Sequence, residues 1–438
     1  MSTDRNPFEV RIEDLTLDGQ GVGRRDGKAC FVPGALPGER VRAVQTRRKR
    51  NYDIARLESV LEPAPERVEP PCTWFGICGG CRLMHADMGL QRQLKEKGLF
   101  EALSRIGRVS PERRLEPLIG DTLGYRRTAR LGVKYVPKKG GTLVGFRERA
   151  GRYLADMWDC PVLHPALGQR IGQLRRLIDG LDARAKIPQI EAVVDDSGTA
   201  ALVFRHLQPL SEADGRRLAE FADTEGLQIH LQPAGPDSVH YHAGPRTGLS
   251  YGHPDFDVAV DFAPLDFIQV HAGVNREMVR RALDLLEPDA GSRVLDLFSG
   301  LGNFTLPLAR RAGEVVGVEG DARMLERARA NAEAQGIRNT RHVCANLDDE
   351  TLGDRPWLRD PFDRALLDPP RAGAAMVVEA LGPIAIPRLL YVSCNPATLA
   401  RDAERLVHHF GYRLEAAGIM DMFPHTAHVE SMALFTRA

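Results

Sequence analysis

Hydrophobic and polar positions alternate in short runs over the first sixty residues. The runs Glu9–Ile12, Ala29–Val32 and Glu39–Val44 are separated by glycine turns. Short alternating strands at near-regular spacing predict a small closed barrel, here over residues 1–62, of the OB-like kind that often binds RNA. A barrel that serves only for packing is the alternative. The proline-rich stretch 62–71 that follows is typical of a linker.

Longer and mixed patterns follow the linker. Residues 87–107 carry apolar positions at helical spacing, with Asp87 as the predicted N-cap and Gly107 at the end. Residues 125–262 then read mostly as strands, with a hairpin around the turn 195–198. We therefore expect a β-rich central domain over 63–262, whose helix 87–107 can pack on the domain that follows.

From about Phe267 the pattern changes to strands that alternate with helices. Arg293–Phe298, Glu314–Glu319 and Leu389–Ser393 are continuous apolar runs, each followed by a turn and a helix-like segment. Buried strands alternating with helices predict an α/β domain with a doubly wound, Rossmann-like parallel sheet over residues 263–438.

The distribution of charge along the chain indicates which kind of partner the protein binds. The 438 residues carry 59 basic and 59 acidic side chains, but residues 39–56 hold 7 Lys or Arg against 2 acids, and residues 105–152 hold 13 against 4. Local basic patches are an electrostatic footprint for nucleic acid, although a solvated face is the alternative. No apolar run approaches the roughly 20 residues of a membrane span, and no secretion signal is visible, so we expect a cytoplasmic monomer without disulfides.

Three cysteines lie close together directly after the linker. Cys72, Cys78 and Cys81 form a C-x5-C-x2-C pattern, and Cys160 precedes a proline far downstream. Such a group predicts a four-thiolate site, and its spacing leaves zinc and an iron–sulfur cluster open.

The strand ends of the last domain carry the candidate chemistry. Gly300 and Gly302 follow one strand, and Glu319 ends the next strand at the place of an acid that grips ribose. The absence of a third glycine favours S-adenosylmethionine over a dinucleotide. Cys394 follows an apolar strand and precedes Asn395-Pro396 and a helix, so we expect the helix terminus to favour its thiolate. An inert buried cysteine is the alternative.

Four motifs together resemble the RNA uracil-5-methyltransferases. They are D-L-F-S-G-L-G-N (296–303), L-D-P-P-R-A-G (367–373), V-S-C-N-P (392–396) and H-V-E (428–430). The cysteine pattern, together with a barrel similar to a TRAM domain, resembles the iron–sulfur branch of RlmD type, which acts on 23S rRNA.

This resemblance implies a set of site residues and partners. It implies S-adenosyl-L-methionine, a [4Fe–4S] cluster and uridine 1939 of 23S rRNA in the customary numbering, with another rRNA or tRNA uridine as the alternative. Ser299, where relatives often carry a cysteine, is a small departure. The implied cofactor contacts are Gln269, Phe298, Asn303, Glu319, Asn346 and Asp368; the nucleophile is Cys394; the base is Glu430; the cluster ligands are Cys72, Cys78, Cys81 and Cys160.

The chemistry of uracil explains these residue types. Carbon 5 becomes nucleophilic only after a thiolate has added to carbon 6, and a base must then remove the surplus proton from carbon 5. The reaction requires an extruded nucleotide, so Phe267 is predicted either to stack on the base or to belong to the core.

Other classes of protein fit less well. An RNA cytosine-5-methyltransferase carries its nucleophile after the fourth strand, where this chain has Pro370-Arg371. An amino-methylating enzyme needs an aromatic residue at Arg371. A non-catalytic RNA-binding iron–sulfur protein would have no use for both Cys394 and Glu430.

Overall fold

The computed structural model describes residues 6–149 and 151–437. Within these limits the chain forms two compact units. The first comprises the residues up to Gly98 with Phe146–Met157 and Phe423–His428; the second comprises Leu99–Gly145, Trp158–Met422 and the residues from Val429 onward. The domain boundaries predicted at residues 62 and 262 remain predictions.

The first unit contains the predicted barrel. Five strands close in the order β1-β2-β3-β5-β4, with β1 antiparallel to β4. Alternate residues such as Val10, Ile12 and Val41 point inward and are buried. The barrel prediction is therefore confirmed. The strands are β1 (Phe8–Leu15), β2 (Gln20–Arg25), β3 (Lys28–Pro33), β4 (Arg40–Arg48) and β5 (Tyr52–Glu62).

A helix follows the linker, as the apolar spacing predicts. The helix α1 (Met88–Ala102) begins after Asp87, whose Oδ1 accepts a hydrogen bond from the Leu90 backbone at 2.7 Å. It continues into a π-helical turn, Leu103–Gly107, in the second unit. There a Cβ on Gly107 would lie 2.7 Å from the carbonyl oxygen of Ala400, so only glycine allows this close packing.

The second unit contains a six-stranded sheet of order β12-β11-β10-β9-β7-β8. The predicted hairpin is present: β9 and β10 pair antiparallel around a turn in which Asp195 accepts backbone hydrogen bonds from Ser197 and Thr199. The elements of this region are β6 (Arg113–Arg114), β7 (Thr128–Val136), β8 (Gly141–Gly145), α2 (Pro165–Gly168), α3 (Ile171–Asp179), β9 (Gln189–Val194), β10 (Ala200–Arg205), α4 (Glu212–Glu225), β11 (Gln228–Gln232) and β12 (His240–Ala243).

The region is less uniformly β than its sequence pattern predicts. The helices α3 and α4 were not expected, and β10 and β11 run parallel with α4 between them. The Ser211 side chain caps α4 by accepting a hydrogen bond from the Asp214 backbone. A parallel pair requires a crossover connection, and α4 supplies it.

Seven strands from the last part of the chain, together with β6, form an eight-stranded sheet of order β17-β16-β15-β18-β19-β21-β20-β6. Strands β15 to β19 are parallel, and β21 is antiparallel to β19 and β20. The predicted Rossmann-like domain is confirmed. Before it, β13 (Leu249–His253) and β14 (Val258–Phe262) form a separate two-stranded sheet. The elements that follow are α5 (Ala272–Leu286), β15 (Arg293–Leu297), α6 (Thr305–Ala309), β16 (Glu314–Glu319), α7 (Ala322–Ala334), β17 (Thr340–Cys344), β18 (Arg364–Leu367), α8 (Ala375–Leu381), β19 (Arg388–Ser393), α9 (Pro396–Glu404), β20 (Arg413–Met420) and β21 (Glu430–Thr436).

Across the described residues, helices are too short or too polar to cross a lipid bilayer.

A buried ion pair connects the barrel to the linker. Glu39 is 0% exposed and accepts a hydrogen bond from the Leu36 backbone at 2.8 Å and one from Arg67 Nη2 at 2.9 Å. Desolvation raises the pKa of Glu39, but the hydrogen bonds from Arg67 and Leu36 outweigh it, and the net pKa lies below 4.5. The pair therefore stabilises the folded barrel above about pH 4.5 and loses that contribution as the pH falls.

We predict that Glu39→Ala lowers the free energy of unfolding by about 3–5 kcal/mol, because it leaves the Arg67 guanidinium without its buried partner. Urea unfolding at pH 7 measures the loss, which should shrink toward pH 3. The control is Glu58→Ala, which removes a solvent-exposed partner of Arg56 and should change the stability by no more than about 0.5 kcal/mol. Equal effects of the two substitutions would contradict the prediction.

Candidate active site

The order of the parallel strands brings five predicted site residues to one edge of the sheet. Asn346, Glu319, Phe298, Asp368 and Cys394 lie at or just after the carboxyl ends of β17, β16, β15, β18 and β19, which are neighbours in that order. The carboxyl edge of a parallel sheet is where ligands bind in doubly wound folds. Sheet topology therefore gathers residues that are far apart in the sequence.

The turn after β15 holds an unusual backbone. Phe298 has φ of 65°, in the left-handed region that bulky residues rarely adopt, and Gly300 and Gly302 also have positive φ. The Gly300 amide donates to Glu319 Oε2 at 3.0 Å, so the turn is tied to the end of β16. Such strain persists only where the surroundings enforce it, and it concentrates at ligand sites.

Glu319 is held firmly at this edge. Besides Gly300, the backbone amides of Gly320 and Asp321 donate to its Oε1 at 2.7 and 2.9 Å. A carboxylate offers about four acceptor positions, so capacity remains for a ligand hydroxyl.

The edge is rich in carboxyl groups. Asp296 is buried in β15, where burial raises its pKa to about 7; the charges of Asp368 and Glu319 add to this effect, and a hydrogen bond from Thr305 opposes it. Burial likewise raises the pKa of Asp368 to about 7. Clustered carboxyl groups favour a cationic ligand, because its charge would relieve their mutual repulsion. The residues present therefore fit a sulfonium cofactor.

The side chain of Asn303 is engaged by two residues that the sequence did not single out. Its Oδ1 accepts from His253 Nε2 and from Asn275 Nδ2, both at 3.0 Å, and its Nδ2 donates to Asn275 Oδ1 at 3.0 Å. Burial lowers the pKa of His253 to about 4, so this imidazole is neutral at pH 7. The network connects the turn to β13 and α5, and no motif marks His253 or Asn275 in the sequence.

A buried arginine supports Gln269. Arg127 Nε donates to the Gln269 carbonyl oxygen at 2.8 Å, and its guanidinium pairs with Asp196 at 2.9 Å. Nearby in the chain, the Phe267 side chain is 68% exposed and lines a cavity of about 1250 Å³. This exposure excludes the prediction that Phe267 belongs to the core.

Strand register brings Cys394 and Glu430 together. Strands β19 and β21 pair antiparallel up to Ser393 opposite Ser431, so Cys394 and Glu430 each adjoin this last residue pair, and the charge of Glu430 acts on the Cys394 thiol. The Ser431 hydroxyl also donates to the Ser393 carbonyl oxygen at 3.2 Å. A thiol and a carboxylate from segments 36 residues apart therefore come close together at this end of the sheet.

The environment of Cys394 contradicts one expectation from the sequence. Burial, together with the negative charges of Glu430 and Asp368, raises the pKa of the thiol to about 11, and the charge of Arg371 only partly opposes this. The neighbouring helix terminus therefore does not make the thiolate the resting form. The protonated thiol predominates at pH 7, because two carboxylates and desolvation outweigh the helix.

The predicted cluster ligands are divided between the two units. Cys72, Cys78 and Cys81 lie in the first unit and Cys160 in the second. Burial raises the pKa of Cys78, although a hydrogen bond from the Gly80 amide opposes it. Among residues 6–149 and 151–437, no three His, Cys, Asp or Glu side chains are arranged to hold a metal ion. No iron–sulfur site is therefore shown among these described residues.

Comparisons with known proteins agree with this geometry. Residues 257–438 match the tRNA (uracil-5-)-methyltransferase family, and residues 3–57 match the TRAM domain. A solved structure with a similar fold is the Pyrococcus abyssi tRNA (uracil-54, C5)-methyltransferase in complex with S-adenosyl-L-homocysteine, with a TM-score of 0.74 and 24% identity over 98% of this chain and 100% of that chain. At this identity the likeness shows the fold alone.

Curated relatives match over nearly the whole length. A protein of Alkalilimnicola ehrlichii named 23S rRNA (uracil(1939)-C(5))-methyltransferase RlmD is 54% identical, over 99% of this chain and 97% of its own. A protein of the same name from Xanthomonas campestris is 49% identical, over 99% and 98%. Identity of this extent, over both the barrel and the parallel sheet, shows that the chain belongs to the RlmD family of 23S rRNA uracil-C5-methyltransferases.

Proposed function

We propose that this protein methylates carbon 5 of a uridine in 23S rRNA, uridine 1939 as in the names of its relatives, through a covalent adduct with Cys394. The observation that supports the proposal is the β19–β21 pairing, in which Cys394 and Glu430 each adjoin the last residue pair, Ser393 and Ser431. A nucleophile and a carboxylate on adjacent strands match a reaction that needs both addition and proton removal.

Cys394 carries the first half of the reaction. Its thiolate adds to carbon 6 of the uracil ring, and the electrons of the 5,6 double bond move toward oxygen 4 to give an enolate. Carbon 5 of this enolate can then attack an electrophilic methyl group. Because the thiol has a pKa of about 11, the proton must leave Cys394 before or during addition.

Glu430 carries the second half. After methyl transfer, carbon 5 bears both the methyl group and its original hydrogen. Glu430 removes this hydrogen as a proton, the enolate forms again, and the 5,6 double bond returns as the carbon–sulfur bond breaks and the thiolate leaves. The half-buried position of Glu430, next to the Ser393–Ser431 pair, supports this role.

The carboxyl edge of the sheet would hold the cofactor. S-adenosyl-L-methionine supplies the methyl group on a positively charged sulfur, which the carboxyl groups of Asp296 and Asp368 would favour. Glu319 would accept the ribose hydroxyls, and the strained turn at Phe298 would lie against the nucleoside. Gln269 and Asn346 complete the proposed contacts. Asn303 would act through the turn, because its side chain already bonds to His253 and Asn275.

Two exposed features would contact the RNA. Arg47, Arg48 and Arg50 lie exposed at the end of β4 and in the loop beyond it, and no ion pair joins them to a described carboxylate. Unpaired cations on a barrel rim are suited to phosphates. The exposed Phe267 ring is suited to stacking on an extruded base.

We further propose that Cys72, Cys78, Cys81 and Cys160 bind a [4Fe–4S] cluster. The support is the C-x5-C-x2-C spacing with a distant fourth thiol. None of the catalytic steps above depends on it.

The order of the steps separates the roles of Cys394 and Glu430. We predict that Cys394→Ala gives neither adduct nor product, whereas Glu430→Gln accumulates a protein–RNA adduct that carries the labelled methyl group and survives denaturing electrophoresis. Turnover of Glu430→Gln should fall by about 10²–10⁴-fold, the usual contribution of a positioned base.

The control for this experiment is Glu415→Gln, which changes a partly buried carboxylate of β20 in the same sheet and should retain wild-type turnover. Wild-type turnover of Glu430→Gln, or RNA binding without a methyl-bearing adduct, would assign the base to another group. Methylation by Cys394→Ala would overturn the covalent mechanism itself.

We predict that the combined substitution of Arg47, Arg48 and Arg50 by Gln weakens RNA binding and flattens its salt dependence. Each lost phosphate contact should reduce the slope of log K against log salt by roughly 0.7–0.9. Filter binding between 50 and 300 mM salt measures the slope. The control Arg56→Gln removes an arginine already paired with Glu58 and should leave the slope nearly unchanged.

We predict that protein purified without oxygen contains about four iron atoms per chain and absorbs visible light. Cys78→Ser should lose the iron, whereas Cys344→Ser, which changes an exposed cysteine outside the proposed ligand set, should keep it. Stoichiometric zinc without visible absorbance would contradict the iron–sulfur proposal.

A further inference from the structure

A buried carboxylate lies on the helix that follows Cys394. Asp402 in α9 is 1% exposed, and its Oδ2 accepts hydrogen bonds from the Tyr391 hydroxyl at 2.7 Å and the Ala374 amide at 2.8 Å. Its Oδ1 accepts from Arg401 Nε at 2.8 Å. A buried charge is stable only when it is paired in this way. The hydrogen bonds to Asp402 therefore hold the groups that donate them in place.

Asp402, Arg401 and Asn395 bind one loop, residues 370–374, which begins at the last proline of the D-P-P sequence after β18. Arg401 Nη2 donates to the Ala372 carbonyl oxygen at 3.1 Å, and Asn395 Nδ2 donates to the Arg371 carbonyl oxygen at 3.1 Å. With the Ala374 amide on Asp402, three backbone groups of the loop are bound to α9 and the residue before it. The loop is therefore pinned along the segment that begins directly after Cys394.

Gly373 shows how closely the loop lies against the helix. Its φ is +84°, and a Cβ there would lie 2.6 Å from Arg401 Nη2 and 2.8 Å from Asp402 Oδ2. Only glycine meets both requirements, since other residues would be strained and would also displace the Asp402 pair. The glycine of the D-P-P-R-A-G sequence is thus explained by contact with Asp402.

The pinned loop carries Arg371, whose carbonyl oxygen is bound by Asn395, the residue after Cys394, and whose charge acts on the Cys394 thiol. Three charged groups act on Cys394: the carboxylates Glu430 and Asp368 disfavour its thiolate, and the guanidinium of Arg371 favours it. The Arg371 side chain is exposed to solvent, so packing does not hold it near Cys394. Its position relative to Cys394 depends on the backbone contacts of the loop.

We propose that Asp402 is a positioning residue, which acts by holding the 370–374 loop against α9 so that the Arg371 guanidinium stays beside Cys394. Tyr391 contributes to the same positioning, because its buried hydroxyl donates to the Asp402 carboxylate and orients it. This inference rests on the proposed role of Cys394 as nucleophile and adds the residues that set its reactivity.

The direction in which the pKa of Cys394 shifts when Asp402 is neutralised distinguishes a role through Arg371 from a direct electrostatic role of Asp402. Removing a carboxylate near a thiol ordinarily lowers the pKa of the thiol, because a repelling negative charge is lost. If Asp402 acts through Arg371, its neutralisation should have the opposite effect and make Cys394 harder to ionise. A purely structural Asp402 would change stability without changing the pH dependence of Cys394.

The test is the rate of Cys394 alkylation by iodoacetamide, measured by mass spectrometry of the peptide between pH 7 and 10 on the full chain without RNA or cofactor. The rate follows the thiolate fraction. In the wild type it should rise about tenfold per pH unit below the pKa. Arg371→Gln should slow it by roughly threefold at each pH, equivalent to a shift of about half a pH unit by a nearby charge in a water-like dielectric.

Asp402→Asn should slow alkylation to a similar extent, and the double variant should be no slower than Arg371→Gln alone. The control Arg405→Gln, which removes an exposed pair with Glu379 beyond the end of α9, should leave the rate unchanged. Faster alkylation of Asp402→Asn, or equal further slowing in the double variant, would overturn the proposal. If Asp402→Asn does not fold, Tyr391→Phe replaces it and should slow alkylation in the same direction; an unchanged rate in that variant would also overturn the proposal.

Failure of this inference is distinguishable from failure of the proposed function. The alkylation assay needs neither methyl transfer nor RNA. If Asp402→Asn leaves the pH dependence of Cys394 alkylation unchanged, the proposed role of Asp402 is excluded and the covalent mechanism still stands. Conversely, methylation by Cys394→Ala would overturn the mechanism, whereas the dependence of the thiol on Arg371 and Asp402 would still stand.

Discussion

The antiparallel pairing of β21 with β19 is the constraint on which the candidate site depends. Strand β19 is parallel to its other neighbour β18, and without β21 the end of β19 would carry Cys394 alone. Because side chains in paired strands keep a strict register, a one-residue slip would turn Glu430 away from Cys394. The hydrogen bond from Ser431 to the Ser393 carbonyl oxygen lies next to this pair and reinforces the register.

The carboxylates at this site disfavour ionisation of the Cys394 thiol. Glu430 and Asp368 are suited to a cationic cofactor and to proton removal, but both disfavour the Cys394 thiolate, and burial adds to the effect. A resting thiol with a pKa of about 11 is protected from unwanted chemistry. In the proposed mechanism a nearby cation would favour the Cys394 thiolate, so Arg371 and a bound sulfonium would act in the same direction.

The groups that hold the site in place are mostly buried polar side chains outside every motif. His253 and Asn275 fix the turn at Asn303, Arg127 supports Gln269, and Asp402 binds the loop after β18. Each lies far in sequence from the residue it supports or on a segment that reads as ordinary helix or strand. A buried polar group must find partners, and this requirement makes these networks specific.

The sequence by itself determined the barrel, the parallel sheet and the residues at its strand ends, because apolar periodicity and glycine turns are local signals. It did not reveal α3 and α4, which lie among strands in a region where alternating apolar runs dominate the pattern. It also assigned the wrong direction to the ionisation of Cys394, because the helix terminus is visible in sequence whereas the approach of Glu430 and Asp368 is not. Only tertiary structure decides which charges meet, since charge interactions depend on distance and burial through space.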